Sequence, residues 1–201
     1  MAYFDGTPRA EIEAMYYGLN PNKPDPAYKV LFTSGATLAH FAAQRADAAG
    51  LRIALERGAR LGPDDLGRTP LHYLAEPTNS PTSDDVSDTV QLLLAASVSP
   101  QREDGNHQTC YLAAARAGHP DLVEALARNG VRLTATDRTG NTGLHLAAAG
   151  DDENHVRLAK AFLAADVDPA LMNKDGETAH DIAVRCGHQA IAAALSGGPE
   201  H

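Results

Sequence analysis

The chain has 201 residues, 43% hydrophobic and 21% charged, which is enough apolar side chain for a folded core and excludes intrinsic disorder. The 26 acidic against 17 basic residues leave a net charge of -9, and no basic cluster exceeds separated pairs such as Arg57 and Arg60, so a nucleic-acid partner is excluded by charge repulsion. No apolar run reaches the roughly 18 residues of a membrane helix, and the opening Met1-Ala-Tyr-Phe-Asp5 carries no secretory signal.

The first 33 residues hold six of the ten aromatics: Tyr3, Phe4, Tyr16, Tyr17, Tyr28 and Phe32. Pro8 to Leu19 reads as a helix and Asn20 to Pro26 as an extended connector. Aromatics cover the open end of a core efficiently, so 1–33 is expected to be an irregular N-terminal cap. Tyr16 and Tyr17 would equally serve as anchors for a partner.

From residue 34 the chain repeats itself. Five stretches open on a threonine: Thr37-Leu-Ala-His40, Thr69-Pro-Leu-His72, Thr109-Cys-Tyr-Leu112, Thr142-Gly-Leu-His145 and Thr178-Ala-His-Asp181, spaced 32, 40, 33 and 36 residues apart. Threonine is a good N-cap, proline after it loses nothing because its missing N–H would be an orphan donor, and the alanines that follow let helices approach closely. A second helix follows each first one, clearest in Leu122, Val123 and Leu126, with Gly58 and Gly130 ending it in the left-handed region. Polar segments between the helix pairs, Asp64 to Arg68, Asp104 to Gln108, Asp137 to Asn141 and Asn173 to Glu177, have the Asp/Asn-then-Gly chemistry of turns.

These motifs resemble the ankyrin-repeat family, which repeats about every 33 residues around T-P-L-H-x-A. Gly118-His119 through Asn129-Gly130 is similar to that family's second helix. The resemblance covers 34–198, in units of about 34–66, 67–104, 105–138, 139–174 and 175–198. It implies an all-α solenoid of helix-turn-helix units with short β-hairpin fingers, each unit too small to fold alone and stacked on its neighbours.

The second unit is about seven residues long for its kind, the excess lying in Glu76 to Val86, a Pro/Ser/Thr/Asp loop in which Ser83 or Asp84 caps the following helix. It reads as a tolerated surface loop or as a binding element. Gly150 to Asn154 carries a smaller insertion. Ala190 to Leu195 reads as a short last helix and Ser196 to His201 as a frayed tail.

Nine histidines invite a metal site, but His40, His72 and His145 fall in the T-P-L-H slot, where the resemblance implies that the imidazole ties one repeat's turn to the next. His119 and His188 fall in a second repeated slot and His180 stands where leucine is usual, leaving His107, His155 and His201 outside the framework. Spread one per repeat, they do not cluster as tetrahedral ligands must, so no metal or other cofactor is expected. Catalytic motifs are absent, Cys110 beside His107 being the only nucleophile candidate, and the chain is read as no enzyme.

The resemblance places the partner-binding surface on the fingers, at Asp65, Leu66, Arg68, Gly105, Asn106, Gln108, Arg138, Thr139, Asn141, Lys174, Asp175 and Glu177. Gln44, Arg45, Glu76, Arg116 and Arg185 join them at the ends of the first helices. The expected partner is another protein with a basic surface, since acidic residues crowd Asp64 to Asp104, and the chain itself is expected to be a monomer. Its two cysteines, Cys110 and Cys186, are read as small buried hydrophobes of a reduced, cytoplasmic protein. Arginine outnumbers lysine 13 to 4, a compositional hint of a bacterial genome, where small proteins of this kind resemble immunity or effector proteins.

Overall fold

The computed structural model describes residues 35–76 and 81–196. It divides into two compact units, Met1–Ser99 and Pro100–His201. The N-terminal cap with its helix and connector, the middle of the Glu76–Val86 insertion and the C-terminal tail lie outside the described residues.

In the first unit, α1 (Leu38–Gln44), α2 (Ala48–Glu56), α3 (Pro70–Leu74) and α4 (Ser83–Ala95) form two helix pairs. Helix α1 packs on α2 and α3, and α2 on α4. The second unit holds three pairs: α5 (Cys110–Ala117) with α6 (Pro120–Arg128), α7 (Gly143–Ala148) with α8 (Glu153–Ala164), and α9 (Ala179–Cys186) with α10 (Gln189–Ser196). Its first helices α5, α7 and α9 stack in one row and its second helices α6, α8 and α10 in another.

Small side chains set the spacing. Ala39, Ala42, Ala43, Ala114, Ala115, Ala147 and Ala148 are all fully buried, so the first helices meet nearly backbone to backbone. Gly143 is a sharper case, because a Cβ there would fall 2.1 Å from Cζ of Phe162, and α7 could not sit on α8. Larger residues on the second helices, Leu51, Leu93, Leu122, Leu126, Leu158 and Phe162, fill the layer between the rows.

Gly58 and Gly130 end their helices at φ of +76° and +72°, as the sequence implies. Ser97 and Asp166 take the same left-handed turn after α4 and α8 without glycine's freedom.

Several local expectations need correction. Helix α4 is capped by Thr82, one residue before the expected Ser83 or Asp84: the Asp85 amide donates to Thr82 Oγ1 at 3.2 Å and the Thr82 amide to Asp85 Oδ2 at 3.1 Å. The Gly150–Asn154 insertion is shorter as a loop, because Asp152 caps α8 and residues from Glu153 are helical. Cys186 is exposed rather than buried, ending α9 in the slot that exposed Ala117 fills on α5. The fingers fold back as hairpins, each closed by one backbone pair across its base, and the described residues contain no β-strand.

Candidate partner-binding surface

Each finger is built on one side chain. Asp64 Oδ1 accepts the amides of Leu66 and Arg68 at 2.9 and 2.8 Å, and Asp104 Oδ1 those of Asn106 and Gln108 at 2.8 and 3.0 Å. Asp137 Oδ1 accepts from Thr139 and Asn141 at 2.9 and 3.0 Å, and Asn173 Oδ1 from Asp175 and Glu177 at 3.0 Å each. The backbone closes the same loop, with Asp64 N–H donating to Arg68 O and Gly67 N–H to Asp64 O, and likewise in the other three. Burial pushes the Asp137 carboxyl up, but the hydrogen bonds from Thr139 and Asn141 outweigh it and hold that group below its usual range.

The bonded turn needs a left-handed residue, which Gly67, Gly140 and Gly176 supply at φ of +77°, +80° and +76°. In the second finger that place falls to His107, at φ +60°, and not to Gly105. Its exposed ring pairs with Glu103 at 3.0 Å.

Histidines fasten the fingers to the helices before them. Thr37 N–H donates to His40 Nδ1 at 3.1 Å, which leaves the ring proton on Nε2 to donate to Arg68 O at 3.2 Å. His145 does the same, accepting from Thr142 N–H at 3.2 Å and donating to Glu177 O at 3.1 Å. Burial is the main reason both stay neutral: it lowers His40 to about 4 and lowers His145 too. His72 accepts from Thr69 N–H in the same way.

In the fifth repeat Asp181 replaces histidine and caps α9, with both the Thr178 amide and hydroxyl donating to its Oδ2. His188 reaches Ala148 O at 2.9 Å.

His155, read as outside the framework, belongs to it. Its ring pairs with Asp152 at 2.6 Å and wedges between Gly118 and Gly150, where added Cβ atoms would fall 3.0 and 2.1 Å from it. The two glycines were the sequence signal for that wedge. Among the described residues no three His, Cys, Asp or Glu side chains gather as a metal site requires. Cys110 is fully buried and desolvation pushes its thiol up to about 12, while His107 points outward to Glu103, so the pair forms no activated nucleophile.

The site residues inferred from sequence divide into tips and props. In the first unit Asp65 and Leu66 stand at the fingertip, Leu66 51% exposed. Arg68 lies back over the Tyr73 ring at 4.6 Å, with Nε 3.2 Å from Asp64 and Nη2 3.0 Å from the Tyr73 hydroxyl. Gln44 and Arg45 are half-buried at the end of α1, Arg45 over the Phe41 ring, and Glu76 is exposed.

In the second unit Gly105, Asn106, Arg138, Thr139, Lys174 and Asp175 are exposed tips. Lys174 crosses to the neighbouring finger, its Nζ donating to Arg138 O at 2.7 Å and its amide to Thr139 O at 3.0 Å. Asn141 accepts from Asn173 Nδ2 at 2.9 Å, while Arg185 clasps Glu177 at 2.8 and 3.1 Å. Arg116 Nη2 donates to Asp137 Oδ2 at 3.1 Å, and a Gln108 amide turned with its oxygen toward Arg116 would accept from Nε and Nη2 at 3.2 and 3.3 Å. Sequence reasoning named these arginines as partner contacts and missed that they brace the fingers.

The sequence matches the family description "Ankyrin repeats (3 copies)" over 82–160 and 111–200, more than half of the chain. It is 31% identical over 149 residues to neurogenic locus notch homolog protein 1 of Xenopus tropicalis, covering 72% of this chain and 5% of that protein. It is 36% identical over 104 residues to human ankyrin repeat domain-containing protein 63, covering 49% and 26%, and 29% identical over 161 residues to human SH3 and multiple ankyrin repeat domains protein 2, covering 79% and 8%. The chain thus spans about a quarter or less of each of these relatives, and their animal origin lends nothing to the compositional hint of a bacterial source. With repeated threonine caps, histidine ties and bonded fingers in place, the chain belongs to the ankyrin-repeat family.

Proposed function

We propose that the chain is an adaptor or inhibitor that binds one partner protein through its fingertips and the exposed ends of its first helices. The observation that carries this reading is the contrast within each finger: a locked backbone presents exposed Asp65, Leu66, Asn106, Arg138, Lys174 and Asp175. A backbone already ordered before docking adds no loop-ordering cost to binding, which is what a recognition surface needs and a spacer does not.

Exposed carboxylates at Glu76, Asp84, Asp85, Asp88 and Glu103 together with the net charge of -9 favour a basic partner surface. Both cysteines are free, which agrees with a reducing compartment such as the cytoplasm. An immunity or effector role is one form of the same reading, in which binding blocks the partner.

The test is a paired capture from native lysate, using the chain and a fingertip variant carrying Leu66→Ser, Arg138→Ala and Lys174→Ala. A protein retained by the first and lost by the second supports the reading, and its association rate should fall steeply with salt. Equal retention by both baits defeats it.

A further inference from the structure

The four fingers are not fastened alike. Fingers 1 and 4 hang from buried neutral histidines, His40 on Arg68 O and His145 on Glu177 O. The third finger, Asp137 to Asn141, follows the repeat in which Leu112 occupies the histidine slot, and a leucine side chain donates nothing to it. Arg116, one turn further along α5, faces that finger instead, 54% exposed and paired with an Asp137 side chain that is only 8% exposed. The same guanidinium lies within hydrogen-bond reach of the Gln108 amide of the second finger, 3.2 and 3.3 Å away, once that amide turns its oxygen toward it.

A neutral hydrogen bond made by a buried imidazole is insensitive to ionic strength, whereas an ion pair with one exposed member is screened by salt. We propose that Arg116 is a positioning residue, an ionic strap that takes the place of the missing histidine and sets how firmly the third finger is held against the second. The third finger is then the adjustable part of the second unit's finger face. The strap is a property of the fold; only its bearing on recognition rests on the finger-face reading.

The test therefore needs no partner. Amide hydrogen exchange of the full chain, followed by mass spectrometry, compares residues 137–141 with residues 64–68 as the salt is raised from about 20 mM to about 500 mM. Exchange in the third finger should quicken about two- to fivefold, and the first finger, whose own Arg68–Asp64 pair is less exposed at 26% and 0%, should quicken less. Arg116→Gln should show the faster rate already at low salt and no further response to salt.

Leu112→His supplies the missing tie and should slow the third finger and remove its salt response. Should that buried substitution prevent folding, the salt series on the wild type and Arg116→Gln decides alone. A salt-independent third finger, or equal quickening of both fingers in Arg116→Gln, overturns the proposal. Failure to find a partner leaves these outcomes untouched.

Discussion

Asn173 donates from Nδ2 to Asn141 Oδ1 at 2.9 Å, joining two fingers that are 32 residues apart in the chain. The other three fingers carry aspartate at the place of Asn173, and only an amide can accept the two finger amides and still donate sideways. Asn141 in turn donates to Thr139 Oγ1 at 2.7 Å, so fingers 3 and 4 share one network. Asn173→Asp should keep the turn but lose the link, costing about 1 kcal/mol in urea unfolding, and Asn173→Ala, which removes all three bonds, about 2 kcal/mol or more. An Asn173→Asp variant as stable as the wild type would show that the link contributes nothing.

Stability should fall in mild acid. His40 titrates near 4 in the folded chain against 6.5 when unfolded, so above about pH 6.5 neither state is protonated and its contribution is complete. As pH drops from there toward 4, the unfolded chain takes up a proton that the folded one refuses, and roughly 3 kcal/mol is lost. The lowered His145 acts in the same sense. Asp137, Asp152 and Asp181, whose carboxyls are held below 3.8, add their losses only at lower pH. Urea midpoints measured across this range should slope less in His40→Asn than in the wild type.

His107 holds a left-handed turn that glycine fills in the other fingers, so His107→Gly should stabilise the chain by about 0.5 kcal/mol despite losing the exposed pair with Glu103. Gly140→Ala should do the opposite, by about 1–2 kcal/mol: its φ is +80° and a Cβ would meet Lys174 N at 3.1 Å. Thermal melting of the two variants checks both signs.

Thr89 is fully buried on α4, and among the described residues its Oγ1 has no hydrogen-bond partner. Thr89→Val should therefore raise stability by about 1 kcal/mol, read as a later urea midpoint at unchanged slope.

A thiol reagent at neutral pH should label one cysteine of the native chain. Cys186 is exposed, whereas Cys110 is buried with its thiol held protonated and should react only on unfolding. Two fast labels on native protein would contradict the burial of α5.

What the sequence determined by itself is everything that depends on residues within a few positions of each other. Threonine caps, the His40 and His145 slots, the glycines after α2 and α6 and the Asp-led turns are local devices, fixed by spacings of three to five residues, and each is present where the sequence implies it. Thr82 capping α4 was legible too, but Ser83 and Asp84 directly after it are equally good cap residues and blurred the choice.

Tertiary structure alone decided which polar side chains are exposed at the fingertips and which brace the frame. Arg116 meets Asp137 across 21 residues, Asn173 meets Asn141 across 32, and His155 wedges under glycines contributed by two repeats. A guanidinium beside a turn looks the same in sequence whether it is free or clasped, because the carboxylate that claims it arrives only when the next repeat stacks. Cys186 follows its slot rather than its residue type: the equivalent Ala117 of α5 is exposed as well, whereas cysteine by itself reads as a small buried hydrophobe.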